Sequence, residues 1–150
     1  MLLAGILTSF HWRAYREEEV PYPEGYRGWT HVKTGIVGPE HQNVEYRGFN
    51  HHYANDLAVT GYTSGNFPEG SIIVVDVVTA VPGTNFTSEG TRHHMDVMVR
   101  DSLKFASTGG WGYSQFEGDN SRRALTLEQK QTCNNCHVKQ KDHVFSEFRK

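Results

Sequence analysis

The clearest regularity in the chain is an alternation of apolar and polar residues with period two through its middle, which predicts antiparallel β-sheet there rather than helix. Residues 71–80 make the strongest strand. The turn Phe67-Pro68-Glu69-Gly70 opens it, with Pro presetting one turn dihedral and Gly free to take positive φ. Its β-branched run (Ile72, Ile73, Val74, Val75, Val77, Val78) is too continuous for a strand with one wetted face and predicts burial on both. Asp76 interrupts the run; it reads either as a hydrogen-bonded acid at a sheet edge or rim, or as a functional acid in a pocket. Residues 91–100 set Met95, Val97 and Val99 against His94, Asp96 and Arg100, the pattern of a half-buried partner strand. Further strands are expected over 111–116, bounded by Gly109-Gly110 and Gly118-Asp119-Asn120, and over 29–37 and 48–53.

Two stretches read as helix. Asn55 stands where it can cap a short one over 56–62. Thr126-Leu127-Glu128-Gln129 matches a capping box, in which Thr and Gln satisfy each other's orphan amides, and predicts a C-terminal helix running into the cysteines. The expected class is therefore α+β, predominantly antiparallel sheet with a few helices, arranged as an N-terminal segment over 1–24 and one domain over 25–150. The apolar run from Leu2 to Phe10 falls short of the roughly 20 residues that span a bilayer. No Lys or Arg precedes it and no A-x-A pattern follows, so it reads as the remnant of a signal peptide or as a helix docking on the domain. A net charge of −2 with no block of like charges excludes the electrostatic footprint of a nucleic-acid binder and points to a small ligand or a protein partner. Asn85-Phe86-Thr87 has the form of a glycosylation acceptor but reads as a chance match in a loop.

Residues 133–137 are Cys-Asn-Asn-Cys-His, the C-x-x-C-H pattern of covalent c-type haem attachment. Two thiols three positions apart on a helical turn reach the two vinyl groups on one porphyrin edge, and the adjacent imidazole swings beneath the ring to ligate iron. Other chemistries use the motif less well. A thioredoxin-type pair sits at the start of a helix in a βαβ unit, not inside a capped C-terminal helix. A zinc ion held by Cys133, Cys136, His137 and His143 would need adjacent residues to chelate one tetrahedral centre. A disulfide leaves the histidine without a role. No Met follows the motif, which excludes a carrier with a C-terminal Met ligand, and the strands do not suit a four-helix bundle. A sixth ligand would come from upstream: His51-His52 or His93-His94, of which strand alternation lets at most one per pair face the haem, or Met95 or Met98.

GYRGWTHVKTG at 25–35, HHYAN at 51–55, GNFPEGSIIVVD at 65–76, DVMVRDSLKFASTGGWGY at 96–113, and CNNCH followed by KDHVFSEFR together resemble the cytochrome P-460 family and its relative cytochrome c′-beta. The resemblance implies an antiparallel sheet with few helices, usually in a homodimer. It also implies one haem c and its iron, with Cys133 and Cys136 as thioether anchors, His137 as axial ligand, and an open or weakly held distal side. Members of the P-460 type oxidise hydroxylamine and nitric oxide and carry a lysine cross-linked to the porphyrin. Here no lysine lies between Thr34 and Leu103, where the resemblance places it. The c′-beta type sets phenylalanines over the iron and binds nitric oxide, which implies Phe67 and Phe49 as distal residues, although Phe67 also reads as plain turn packing. Three functions follow as expectations: capture of nitric oxide, oxidation of hydroxylamine or nitric oxide with Asp76 relaying protons, and six-coordinate electron transfer to a redox partner protein. Because such haem attachment is made outside the bacterial cytoplasm, a periplasmic location is expected.

Overall fold

Six strands pair in chain order as an antiparallel meander: β1 (Thr30–Val37), β2 (Gly48–Ala54), β3 (Ile72–Pro82), β4 (Thr87–Arg100), β5 (Trp111–Glu117) and the short β6 (Arg122–Arg123). Two helices accompany them, α1 (Asp56–Ser64) between β2 and β3 and α2 (Leu127–His137) after β6. The computed structural model describes residues 20–149, so the apolar run at 2–10 and most of the segment 1–24 lie outside the described residues. Among the described residues no helix is long and apolar enough to cross a membrane.

The predicted elements all form, with longer central strands than expected. β3 and β4 extend into a hairpin whose tip holds Asn85 and the exposed Phe86. Asn55 caps α1 as its position suggests: its side-chain oxygen accepts from the Ala58 amide at 2.9 Å and from the Ile72 amide at 3.0 Å, so one residue fixes both the helix start and the β3 start. Both arms of the Thr126–Gln129 capping box are made, at 2.8 and 3.2 Å.

Strand alternation divides the sheet into two faces, each with its own apolar cluster. One cluster gathers Val32, Ala54, Ala58, Phe67, Ile73, Met98, Trp111 and Tyr113, with Cys133 of α2 packed against it. The other gathers Val20, Tyr26, Val74, Met95, Val97 and Phe116, with Tyr22 and Trp29 at its margin. Residues 20–29 thus cover the second face, and Val20 and Tyr22, which the sequence groups with the N-terminal segment, are part of the packed domain. β4 differs from its half-buried expectation. Met95 and Val97 are buried on one side, and His94 and Met98 are buried on the other, because α2, the C-terminal residues and Tyr46 cover the face that the polar pattern assigns to solvent.

Candidate functional site

The motif occupies the last turn and a half of α2, which lies on β5. Cys133 is half-buried against the first cluster, Cys136 is exposed, and both thiols are free. Burial, with a smaller push from the Asp96 charge, raises the Cys133 thiol above its ordinary pKa and keeps it protonated at neutral pH.

His137 is held from both sides. Its ring meets Phe145 edge-on at 4.9 Å and Tyr113 at 5.3 Å. Its Nδ1 lies 2.7 Å from the His143 carbonyl oxygen, and since a carbonyl only accepts, the ring proton sits on Nδ1 and the Nε2 lone pair is left for a metal. Burial pushes the His137 pKa down, against the carbonyl bond and the Asp96 charge, so the ring is neutral as ligation requires. The accepting carbonyl is placed by a tight reversal in which Asp142 and His143 both take left-handed backbone conformations, φ 50° and 64°. Two adjacent non-glycine residues there are a local cost, and the bond to the His137 imidazole is what the turn achieves.

Gly109 makes room for this turn. Its own φ is +66°, and a Cβ on it would stand 2.6 Å from His143 Cε1 and 2.8 Å from His143 Nε2. Gly109→Ala is therefore expected to displace His143 and loosen His137, at a cost of about 1–3 kcal/mol. Thermal melts of the two proteins measure it, and an unchanged midpoint would show that the turn does not depend on this glycine.

After the turn, residues 144–149 run back across the sheet. Tyr62 of α1 and Ser146 share a hydrogen bond at 2.5 Å, and Phe148 packs beside the Tyr62 ring. Between these residues and β1 lies a groove of about 360 Å³, lined by Val32, Lys33, Thr34, Phe145, Glu147 and Arg149. Phe145 belongs both to this groove and to the packing of His137, so the groove shares a wall with the His137 ring.

Register decides which upstream residues share the motif's face. Ala54 and Met98 lie in its cluster, so their alternates His52, Val75 and Asp96, which are mutual neighbours across β2, β3 and β4, face the same way. The Asp96 carboxylate accepts from the Tyr46 hydroxyl at 2.7 Å and from Gln115 Nε2 at 2.8 Å. Its charge is felt at both Cys133 and His137. Of the two histidine pairs, His52 and His94 are thus the members on the motif side. Burial, with Lys33 and the neighbouring histidines, lowers the His52 pKa to about 4, so it is neutral at pH 7. Lys33 is the register partner of His52, and the structure therefore brings one amine to this face from just outside the 34–103 interval.

Of the other residues expected at the site, Phe67 lies on the motif side and Phe49 and Asp76 do not. Phe67 packs in the first cluster, edge-on to Tyr62 at 5.0 Å and to Trp111 at 5.6 Å. Phe49 stacks on His51 at 5.9 Å, on the face away from the motif. Asp76 also points away: its carboxylate takes Tyr26 and Arg27 at 2.6 Å each and Arg92 at 2.7 Å. The acid whose charge reaches Cys133 and His137 is Asp96, which the sequence pattern assigns only to a polar strand face.

Paired free thiols on one helical turn, a neutral imidazole with Nε2 available, and an apolar wall opposite are the donor set of a c-type haem. The buried polar atoms around them suit the same group, because Tyr113 Oη, Asn134 Oδ1 and His143 Nδ1 have no hydrogen-bond partner among the described residues. This defines a c-type haem protein. The family model of cytochrome P460 matches residues 23–146, and the chain belongs to that family, so its cofactor is a haem c with its iron. No curated protein matches the chain.

Proposed function

We propose that this cytochrome captures a small nitrogen-oxide ligand, nitric oxide foremost, on the open side of a haem tethered by Cys133 and Cys136 and ligated through His137. When bound, the haem supplies the iron to which such a ligand attaches. The observation that carries this reading is the make-up of the motif-side centre of the sheet. There Val75 stands between His52 and Asp96 in register, an apolar position where a reactive amine would favour oxidation chemistry instead. Asp96 and Tyr46 offer the neighbouring polar contact, and Phe67 and Trp111 close off water from the apolar end.

The test is absorption spectroscopy of the purified protein. A five-coordinate oxidised spectrum and a clear shift of the reduced spectrum on adding nitric oxide are expected; no shift defeats the reading. A low-spin spectrum would instead make neutral His52 the sixth ligand and the protein an electron carrier.

A second reading rests on Lys33, whose place beside His52 and in the groove next to Phe145 offers a nucleophilic amine near the porphyrin edge. In that reading the protein oxidises hydroxylamine or nitric oxide, with Asp96 rather than Asp76 as the acid that moves protons. A tryptic map with porphyrin on the Lys33 peptide, together with hydroxylamine turnover in the presence of an electron acceptor, would favour it. Either reading expects a periplasmic homodimer that meets a redox partner protein, which cell fractionation and sedimentation test.

A further inference from the structure

β4 carries two adjacent histidines, and regular alternation would send them to opposite faces. The register does not stay regular. His94 is opposite Val77 and Arg92 is opposite Val78, so His93 is the extra residue of a bulge, the device by which strands re-aim a side chain. As a result the two rings meet, with Nδ1 of His93 3.2 Å from Nδ1 of His94 and the rings nearly perpendicular.

His94 is fully buried, while His93 remains half-exposed. The His94 ring stands edge-on to Tyr46 at 5.0 Å, and its Nε2, without a hydrogen-bond partner, lies 3.5 Å from Asp96 Oδ2. The other groups facing it are Val77 from β3 and Glu117 from β5, the latter paired with Arg123. Only one hydrogen fits between the two Nδ1 atoms. If His94 gave it, the Nε2 lone pair would face a carboxylate oxygen, which is repulsive. The favoured arrangement has His93 Nδ1–H donating to His94 Nδ1, with the His94 proton on Nε2, which stands 3.5 Å from Asp96 Oδ2 outside hydrogen-bond geometry.

We propose that His94 is a positioning residue for Asp96 and the link through which protons pass between His93 at the surface and the motif side of the sheet. The proposal rests on the reading of Cys133, Cys136 and His137 as the haem site. The transfer balances without any electron. Protonated His93 gives its Nδ1 proton to His94 Nδ1, and His94, on closing the 3.5 Å separation to hydrogen-bond distance, gives its Nε2 proton to Asp96 Oδ2; tautomer exchange then restores the ring. Such a link would make reduction of the bound haem proton-coupled: with an external donor or electrode supplying the electron, the His94–Asp96 pair would take up the proton from solvent through His93.

The experiment is spectroelectrochemistry of the haem-loaded protein from pH 5 to 9, comparing wild type with His94→Gln and Asp96→Asn. The wild-type midpoint potential should fall as pH rises across this range. His94→Gln should lose that dependence while keeping the oxidised spectrum, a change that a packing role would not produce. A wild-type potential independent of pH, or a His94→Gln profile matching the wild type, overturns the proposal and leaves the haem reading standing. Should His94→Gln fail to fold, Asp96→Asn decides by the same measure, since a wild-type slope retained without the carboxylate also overturns it. A wild-type protein without covalent pigment defeats the haem reading itself, and this proposal with it.

Discussion

The double variant Cys133→Ala/Cys136→Ala is expected to lose its pigment to acidified acetone and to lose hydrogen-exchange protection throughout α2. The reason lies in the composition of the helix. Leu127-Glu-Gln-Lys-Gln-Thr-Cys-Asn-Asn-Cys-His has no apolar stripe, Asn134 is its only buried residue, and Leu127 is 66% exposed. A helix of 11 residues is near the length at which isolated helices are marginal, roughly 12–15 residues. The capping box contributes only about 0.5–2 kcal/mol. What remains to hold α2 on β5 is the Cys133 contact, the ring packing of His137 and, in the reading proposed above, two thioether bridges from Cys133 and Cys136 to the haem. Mass spectrometry of exchanged peptic fragments reads the result directly. Full protection of 127–137 in the double variant would mean that protein contacts alone hold the helix, and retained pigment would move the attachment elsewhere.

The meander is readable from the chain because period-two patterning and Gly-rich turns are local signals, as are the two side-chain caps. Sidedness is not local. Asp76 and Asp96 both interrupt apolar strands, and in the sheet they sit one pleat apart, with Asp76 opposite Met95 and Val75 opposite Asp96. Alternation therefore separates the two acids with certainty but cannot say which one shares a face with α2, since that depends on how a helix more than thirty residues downstream docks. The polar positions of β4 mislead for the same reason: His94 and Asp96 look like a solvent face, yet Tyr46, from about fifty residues upstream, packs edge-on to His94 and donates to Asp96. The bulge at His93 and the left-handed pair Asp142–His143 leave still less trace, because neither uses the glycine that usually announces such a conformation. The motif itself is the opposite case. Its chemistry is written in five consecutive residues, and only the carbonyl that fixes the His137 tautomer needed the fold to be seen.

Asp76→Ala is expected to be among the most destabilising single changes in the protein, at about 3–5 kcal/mol, while leaving the haem spectrum as it is. The Asp76 side chain is fully buried and answers two guanidinium groups, of which Arg92 is only 18% exposed. Removing the acid strands that positive charge against the second cluster. It also takes the acceptor from the Tyr26 hydroxyl, whose pKa burial and Asp76 push up to about 12. For a domain of this size the loss corresponds to a midpoint lower by roughly 10–20 °C. The pH dependence follows from the sign of the carboxyl shift. Burial works against the Asp76 charge, but the bonds from Tyr26, Arg92 and Arg27 outweigh it and hold the pKa below the ordinary value. A lowered carboxyl pKa stabilises the fold fully above the unfolded-chain value of about 3.9 and loses its effect as pH falls through the lowered one. The difference in melting temperature between wild type and Asp76→Ala should accordingly be largest near neutrality and shrink below about pH 4. An equal difference at pH 7 and pH 3 would mean that Asp76 acts through packing rather than charge. A changed haem spectrum would mean that the two faces of the sheet are coupled, against the separation that its register implies.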